Sequence, residues 1–537
     1  IECNLNVMNG SIITSIWKVN IDNSFFDDYN PYQDSIHGDW FYDHGRIHHT
    51  GEVFLNGKSL WEKESIEKVI NPVPDQNMMD PEGSTYTWYC ESDEKQTTIW
   101  ANFHKANPNK ELVEISVRRT CFYPERQGIN YITIRGFDIS QAATQWGAPT
   151  AEQIGMISTH WNKGWIIENN VIHDSKCSGI TLGKERSTGH NTWSADRSYD
   201  GSIHYIEVTF NTLRHGWSKE NIGSHIIRNN TIYNCGQTGM CGSMGAAFSI
   251  IENNHIYNIW TKRQYSGAEI GGIKFHAAID ATLRKNRIHN CGRGIWLDWM
   301  TQGTRVSGNL LYSHDLEDLF LEVNHGPYIV DNNILLSPNS IRNQSQGGAF
   351  IHNLITGTVY MWSEPGRFTP YHLSHSTEVA GLSTIYSGDD RYYNNVFVGA
   401  GQNKSRDKRY KHGLEEYDKA ELPIFVKDNI YYFGARPTKD EKSYPGSSDF
   451  NPGVELVEER DGIYLSFNFS NAIVDVNGEI ITSEILGKAK VPNARYENPN
   501  GTTLTIDIDY FSKIRSGNIN PGPFSNIRSG EMKLKVW

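Results

Sequence analysis

The feature that most constrains how this chain can fold is a short phrase that keeps returning: an alternating apolar run, an asparagine corner, and a second short apolar run. It reads W-I-I-E-N-N-V-I-H at 165–173, H-I-I-R-N-N-T-I-Y at 225–233, S-I-I-E-N-N-H-I-Y at 249–257 and T-L-R-K-N-R-I-H at 282–289. It continues at 305–312, 328–336, 349–355, 391–398 and 425–432. The corner falls at Asn170, Asn230, Asn254, Asn286, Asn309, Asn333, Asn353, Asn395 and Asn429, with tightest spacings of 20 to 24 residues. Short strands without helices at such a period cannot each bury an apolar face alone, so they are expected to stack as coils of a parallel β-helix. Asparagine suits the corner because it tolerates left-handed backbone geometry and its amide can bond to the next coil. Wider gaps read as coils carrying loop insertions, and I-T-I-R-G-F-D-I (132–139) as an earlier coil with Gly136 at the corner. A leucine-rich repeat would need a fixed L-x-x-L-x-L frame, which is absent.

This rhythm sets an all-β plan. Residues 126–440 are expected to form the β-helix. Residues 21–125 break the period with G-D-W-F-Y, G-E-V-F-L-N-G-K, Y-T-W-Y-C, T-T-I-W-A-N-F and V-E-I-S-V between turn residues. They read as a meander of antiparallel strands, a β-sandwich inserted into the early coils. Residues 1–20 are expected to be one of those early coils, in a chain whose start is missing, since it opens without Met directly into strand-like sequence. Residues 441–537 lack the corner motif and read as a C-terminal β region that completes the sandwich or caps the helix end.

Composition narrows the partners. Asp and Glu outnumber Lys and Arg by 62 to 50, and a net charge of −12 disfavours polyanions such as nucleic acid or pectate. A neutral substrate fits better. Fifteen Trp and 27 Tyr suit sugar faces that stack on rings, though a well-filled β core uses the same residues. Seven scattered cysteines without a CxxC pair favour reduced thiols and a cytoplasmic setting over a disulfide frame. No apolar stretch is long enough to span a membrane. No cofactor or metal is called for, and a homo-oligomer is compatible with all of this.

Within the repeat, two strands carry an acid where an aliphatic residue is expected: Asp298 in I-W-L-D-W and Glu322 in L-F-L-E-V. Side chains alternate along a strand, so if Leu297 and Leu321 face the core, then Trp296, Asp298, Phe320 and Glu322 face outward. Matching the two strands puts Asp298 and Glu322 in one column on adjacent coils, separated by roughly 4.8 Å. A retaining glycosidase needs two carboxyl groups about 5 to 5.5 Å apart, whereas an inverting one needs about 6.5–9.5 Å to admit water. Stacked like charges should also raise the pKa of one acid and keep a proton for the leaving group. The spacing leaves open which acid takes which role, and a plain acidic ladder on a solvated face would give the same pattern. One coil earlier, I-K-F-H (273–276) places His276 beneath Asp298 and Lys274 beneath Trp296. His276 would bond a sugar hydroxyl, orient the nucleophile, or simply be a structural surface residue.

At these residues the chain resembles the β-helical β-xylosidases of glycoside hydrolase family 120. The resemblance runs through N-P-Y (30–32), G-D-W (38–40), G-E-V-F-L-N-G-K-S (51–59), G-W-S-K-E-N-I-G-S-H-I-I-R-N-N-T-I-Y (216–233), W-L-D-W (296–299), Q-G-T-R-V-S (302–307), E-V-N-H-G-P (322–327) and H-S-T-E-V-A-G (375–381). It implies a right-handed parallel β-helix with a flanking sandwich, and release of D-xylose from xylobiose and short xylo-oligosaccharides with retention. It also implies Asp298 as nucleophile and Glu322 as general acid/base, with Trp40 walling the sugar subsite from the sandwich side. Glu269, His276, Asn324 and His325 are the further candidate substrate-binding residues. The chain departs from the family pattern at Ala268, where the resemblance leads one to expect His before Glu269.

Three other readings remain. Another retaining exo-glycosidase, such as an α-L-arabinofuranosidase, would use the same frame. Uronate lyases and polygalacturonases share the β-helix, but the clustered acids for Ca²⁺ and the G-H-G and R-I-K motifs are absent. A non-catalytic carbohydrate-binding β-helix would keep the aromatics but has no reason to stack two acids among apolar residues.

Overall fold

A computed structural model describes residues 2–9, 12–193, 200–400, 411–441 and 444–537. The asparagine phrases form three long parallel sheets of ten, eleven and eight strands, and each coil contributes to each sheet in turn along most of the stack. The register is unbroken through the core. Ile134, Ile167, Ile227, Ile251, Leu283, Val306, Val330, Phe350 and Tyr392 lie one above the next on successive coils. All are buried, and each such aliphatic side chain contributes about 1.5–3 kcal/mol.

The corner works by a division of labour that differs from the expected one. The second Asn of each pair builds the ladder: its Nδ2 donates to Oδ1 of the next coil's Asn at 2.9–3.1 Å, continuously from Asn170 to Asn429. The left-handed residue is the one before it. Asn169, Asn229, Asn253, Lys285, Asn332, His352, Asn394 and Asp428 have φ of 53–56°, and Gly308 takes 63°. Gly136 (φ 78°) therefore occupies the turn position, and the ladder ends beside it where the N–H of Phe137 donates to Asn170 Oδ1.

The described residues among the first twenty do not form an early coil. Their strands, Glu2–Asn9 and Ile12–Asp22, are antiparallel partners, and Ile12–Asp22 pairs with Gln96–Asn102 in a five-stranded sheet. The reason is length and pairing: Ile12–Asp22 runs 11 residues, far longer than a coil strand. A second sheet, Lys58–Ser59, Val53–Leu55 and Val113–Ile115, packs on the first around Trp88, Tyr32, Ile99 and Phe103. This sandwich is tied to the β-helix by a buried ion cluster. Lys176 lies 3.4 Å from Glu62 and 3.6 Å from Glu52, and Lys262 lies 2.8 Å from Glu52.

The C-terminal region does not complete the sandwich, and its Gly446–Ser447 adds the last strand of the eleven-stranded sheet at the end of the stack. Its sheet of Glu455–Glu459, Gly462–Phe469 and Gly530–Lys535 lays Phe467 and Phe469 against Leu310, Ile334, Leu354, Val396 and Ile430 along the flank of the stack. Two insertions leave the repeat and frame one face. The helix Gly201–Arg214, capped by Asp200, lies between the coils of Asn170 and Asn230, and the hairpin Glu364–His372 with Val379–Ile385 lies between those of Asn353 and Asn395.

Candidate active site

Two outward columns run up the sheet framed by these insertions. One carries Ser243, His276, Asp298, Glu322 and Gln344; the other carries Cys241, Lys274, Trp296, Phe320 and Arg342. Asp298 and Glu322 are thus direct neighbours across one strand spacing, with Leu297 and Leu321 in the core behind them. They do not stand on a solvated face. Asp298 is 5% and Glu322 9% exposed, at the floor of a cavity of about 400 Å³ walled by Trp40, Trp193, Tyr205, Trp299, Arg293 and Arg367.

Each acid is held differently. Lys274 Nζ donates to Asp298 Oδ2 at 2.6 Å, His276 Nε2 lies 3.1 Å from the same oxygen, and the N–H of Trp299 donates to Oδ1 at 2.7 Å. Burial alone would push the carboxyl of Asp298 up, but Lys274 and then His276 outweigh it and hold it well below the usual carboxylate range. Asp298 is therefore not the acid of the pair whose carboxyl stacking raises. Glu322 accepts from Trp296 Nε1 at 3.1 Å and from Arg367 at 2.8 Å. The ammonium of Lys274 also sits 3.8 Å from the centre of the Trp296 ring, locking that side chain between the two acids.

The remaining sequence candidates separate into two groups. Trp40 (φ 56°) reaches the cavity and stacks on Trp193 at 4.9 Å. It arrives there because Phe41–Tyr42 pairs antiparallel with Ser266–Gly267 of the β-helix. Gly267 must be glycine: its φ is 146°, and a Cβ would meet the Trp40 carbonyl oxygen at 2.0 Å. His276 and Ala268 also line the cavity. Glu269 does not; it lies behind the floor, fully buried, 3.3 Å from His276 Nδ1 and 3.7 Å from Lys274.

Asn324 and His325 are structural rather than exposed to a ligand. Asn324 accepts from the N–H of Thr301 and donates to the Leu297 carbonyl, forming a second corner ladder after the acid-bearing strand. His325 lies 3.1 Å from the Thr369 carbonyl and receives a hydrogen bond from Gln346, clamping the hairpin to the stack. Both are buried by the return turn that follows Glu322. Sequence reasoning missed Lys274, Arg367, Arg293, Trp193 and Tyr205 as site residues. Lys274 was within reach, because it alternates with His276 on one face; Arg367 and Tyr205 come from insertions whose docking no periodicity announces.

The sequence matches the family described as "Glycoside hydrolase 120, insertion domain" over residues 10–115, and a "Right handed beta helix region" over 196–359. The solved structure titled "The complex structure of XylC with xylose" is 42% identical, covering 100% of this chain and 88% of that one, with a TM-score of 0.94. The chain belongs to glycoside hydrolase family 120. This family 120 member is therefore a glycoside hydrolase on a right-handed parallel β-helix with a sandwich-like N-terminal insertion. The periplasmic alginate epimerase AlgG is 12% identical, covering 56% of this chain and 70% of its own, with a TM-score of 0.32. The cedar pollen allergen jun a 1 is 11% identical, covering 60% and 83%, with a TM-score of 0.30. No curated protein matches the sequence. Among the described residues of the family 120 chain, no group of three or more His, Cys, Asp or Glu side chains could hold a metal ion, and no helix is long and apolar enough to cross a membrane.

Proposed function

We propose that this hydrolase is a retaining, exo-acting β-1,4-xylosidase that releases D-xylose from xylobiose and short xylo-oligosaccharides. The observation that carries the reading is the register of Asp298 against Glu322 on adjacent strands at the floor of one pocket. A separation near one strand spacing suits direct attack by a carboxylate and leaves no room for the water an inverting enzyme places between its acids. The 42% identity to XylC, a structure solved with xylose, supports the choice of sugar. Lys274, Arg293 and Arg367 around the acids offset their charge, as a neutral substrate requires.

In this mechanism Asp298, kept ionised by Lys274 and His276, attacks the anomeric carbon while Glu322 gives its proton to the departing oxygen. The xylosyl ester is then opened by water that Glu322 deprotonates. Trp40 and Trp193 wall the pocket so that it takes a chain end.

Hydrolysis of xylobiose followed by proton NMR tests substrate and stereochemistry together. First-formed β-xylose is expected; first-formed α-xylose would overturn retention, and cleavage confined to another glycoside in a panel that includes an aryl α-L-arabinofuranoside would overturn the substrate. Asp298→Ala should abolish turnover of aryl β-xylosides. Glu322→Ala should spare glycosylation by substrates with good leaving groups far more than by xylobiose, and equal losses would remove Glu322 from the acid role.

A further inference from the structure

Glu269 lies behind the floor and does not reach the pocket. Its carboxyl is fully buried, and neither oxygen has a hydrogen-bond partner among the described residues that meets full geometry. It faces Lys274 and His276 from the adjoining strand, Cys241 from the preceding coil, Asp298 and Glu322 from the following coils, and Tyr205 from the inserted helix. The His276 ring bridges the gap: Nδ1 is 3.3 Å from Glu269 and Nε2 is 3.1 Å from Asp298. Burial and then Lys274 lower the imidazole below its ordinary 6.5, so at neutral pH and above the ring carries a single proton. That proton can face only one of the two acids.

Three further facts decide which. Nε2 is closer to Asp298 (3.1 Å) than to the ammonium of Lys274 (3.5 Å), the arrangement of a donor toward the carboxylate. Asp298 is ionised and can only accept. Burial, which outweighs the pull of Lys274, lifts the Glu269 carboxyl to about 8, so below that pH it carries a proton of its own.

We propose that Glu269 is a positioning residue: as a carboxylic acid it donates a hydrogen bond to Nδ1 of His276, which fixes the imidazole tautomer whose Nε2–H points at the nucleophile Asp298. Loss of the Glu269 proton reverses the relay. The imidazole proton moves to Nδ1 to meet the new carboxylate, Nε2 becomes an acceptor, and it competes with Asp298 for the ammonium of Lys274. The nucleophile then loses one donor and shares the other. The basic limb of the reaction is thereby set behind the pocket rather than at the general acid.

This inference rests on Asp298 as nucleophile, so the test keeps the two apart. The pH dependence of kcat/KM is measured with an aryl β-xyloside whose leaving group needs no proton, which removes Glu322 from the glycosylation step. The wild type should lose activity with a midpoint near pH 8, the value at which Glu269 titrates. In Glu269→Gln the amide N–H donates to Nδ1 at every pH, so the basic limb, read against that variant's own plateau, should move up by about one unit or more. An unmoved limb would overturn the relay. Should that variant fail to fold, His276→Asn offers Asp298 an N–H that does not depend on Glu269, and its limb should move up in the same way; an unmoved limb there also overturns the proposal. If the wild type cleaves no aryl glycoside, the xylosidase reading fails and the relay is judged by infrared difference spectra of wild type against Glu269→Gln. A carboxylic acid C=O band present below pH 8 and bleached above it upholds Glu269 as a proton carrier, and its absence refutes it.

Discussion

Lys274 shows how one side chain can set the chemistry of the floor. It is fully buried, bonded to Asp298, and packed on the Trp296 ring that in turn donates to Glu322. An isolated buried carboxylate would take up a proton; the ammonium beside it reverses that preference and keeps Asp298 ionised. Lys274→Met should therefore lower kcat/KM by about a hundredfold to a thousandfold at neutral pH. Its acid limb should move up toward neutrality, because without the ammonium burial decides the protonation of Asp298. The variant should also lose about 3–5 kcal/mol of stability near pH 7, since Asp298 is left charged and buried without its ammonium partner. That loss should shrink as pH falls and the orphaned carboxyl becomes protonated. Thermal unfolding across pH checks this sign, and a constant deficit would argue that Lys274 acts only by packing.

Among the elements, the hairpin Glu364–His372 with Val379–Ile385 brings Arg367 to Glu322, and its tip is pinned from two sides. His375 Nδ1 lies 3.0 Å from Asp280 of the β-helix, and Nε2 lies 3.1 Å from Glu497 of the C-terminal region. These partners, hydrogen bonding from Asp280 first, raise the imidazole from its ordinary 6.5 to about 9. A raised native value means that the contribution is full below about pH 6.5 and is lost as pH rises through about 9. His375→Ala should cost about 2 kcal/mol below pH 6.5, discounted for the partial exposure of the ring, and almost nothing above pH 9. Amide exchange should rise first in the hairpin. A deficit that does not change with pH would refute the ionic origin of the clamp.

For the whole molecule, the pocket exists only where two domains meet. Trp40 and Tyr42 belong to the sandwich side, whereas Asp298 and Glu322 belong to the β-helix. The joint is held by Lys176, whose ammonium lies between Glu52 and Glu62. Burial works to raise Glu62, but Lys176 and His49 prevail and hold it at about 2. Lys176→Met should destabilise the protein by about 3–5 kcal/mol near neutral pH, by removing the ammonium beside buried Glu62 and leaving it only His49, while Glu52 keeps Lys262. The Glu62 contribution is present above about pH 4.5 and disappears as pH falls toward 2, so the deficit should narrow in acid. Lys176 is remote from the acids, yet the variant should raise KM more than it lowers kcat, because the Trp40 wall moves with the sandwich. An unchanged KM would show that the wall does not depend on the joint.

How much of this was legible in the chain depends on whether the information was periodic. The coil count, the Asn170-to-Asn429 ladder and the column that pairs Asp298 with Glu322 all follow from a repeat of 20 to 24 residues, because a stacked strand can only place like positions above like. The resemblance to family 120 then named the chemistry those columns suggested. What the period could not carry was any contact made across it. Residues 1–20 look like coil strands by composition, but their long antiparallel partners lie near residue 100. Asn324 and His325 look like ligands beside Glu322, but the turn after that strand folds them inward, where the backbone needs their hydrogen bonds. Arg367, Trp193 and Tyr205 reach the pocket from insertions with no repeat to index them. The sequence by itself therefore determined the β-helix and its pair of acids, since both are local patterns copied along one axis. Only the tertiary structure decided the walls, the cations and the buried Glu269, because those come from segments that meet through packing.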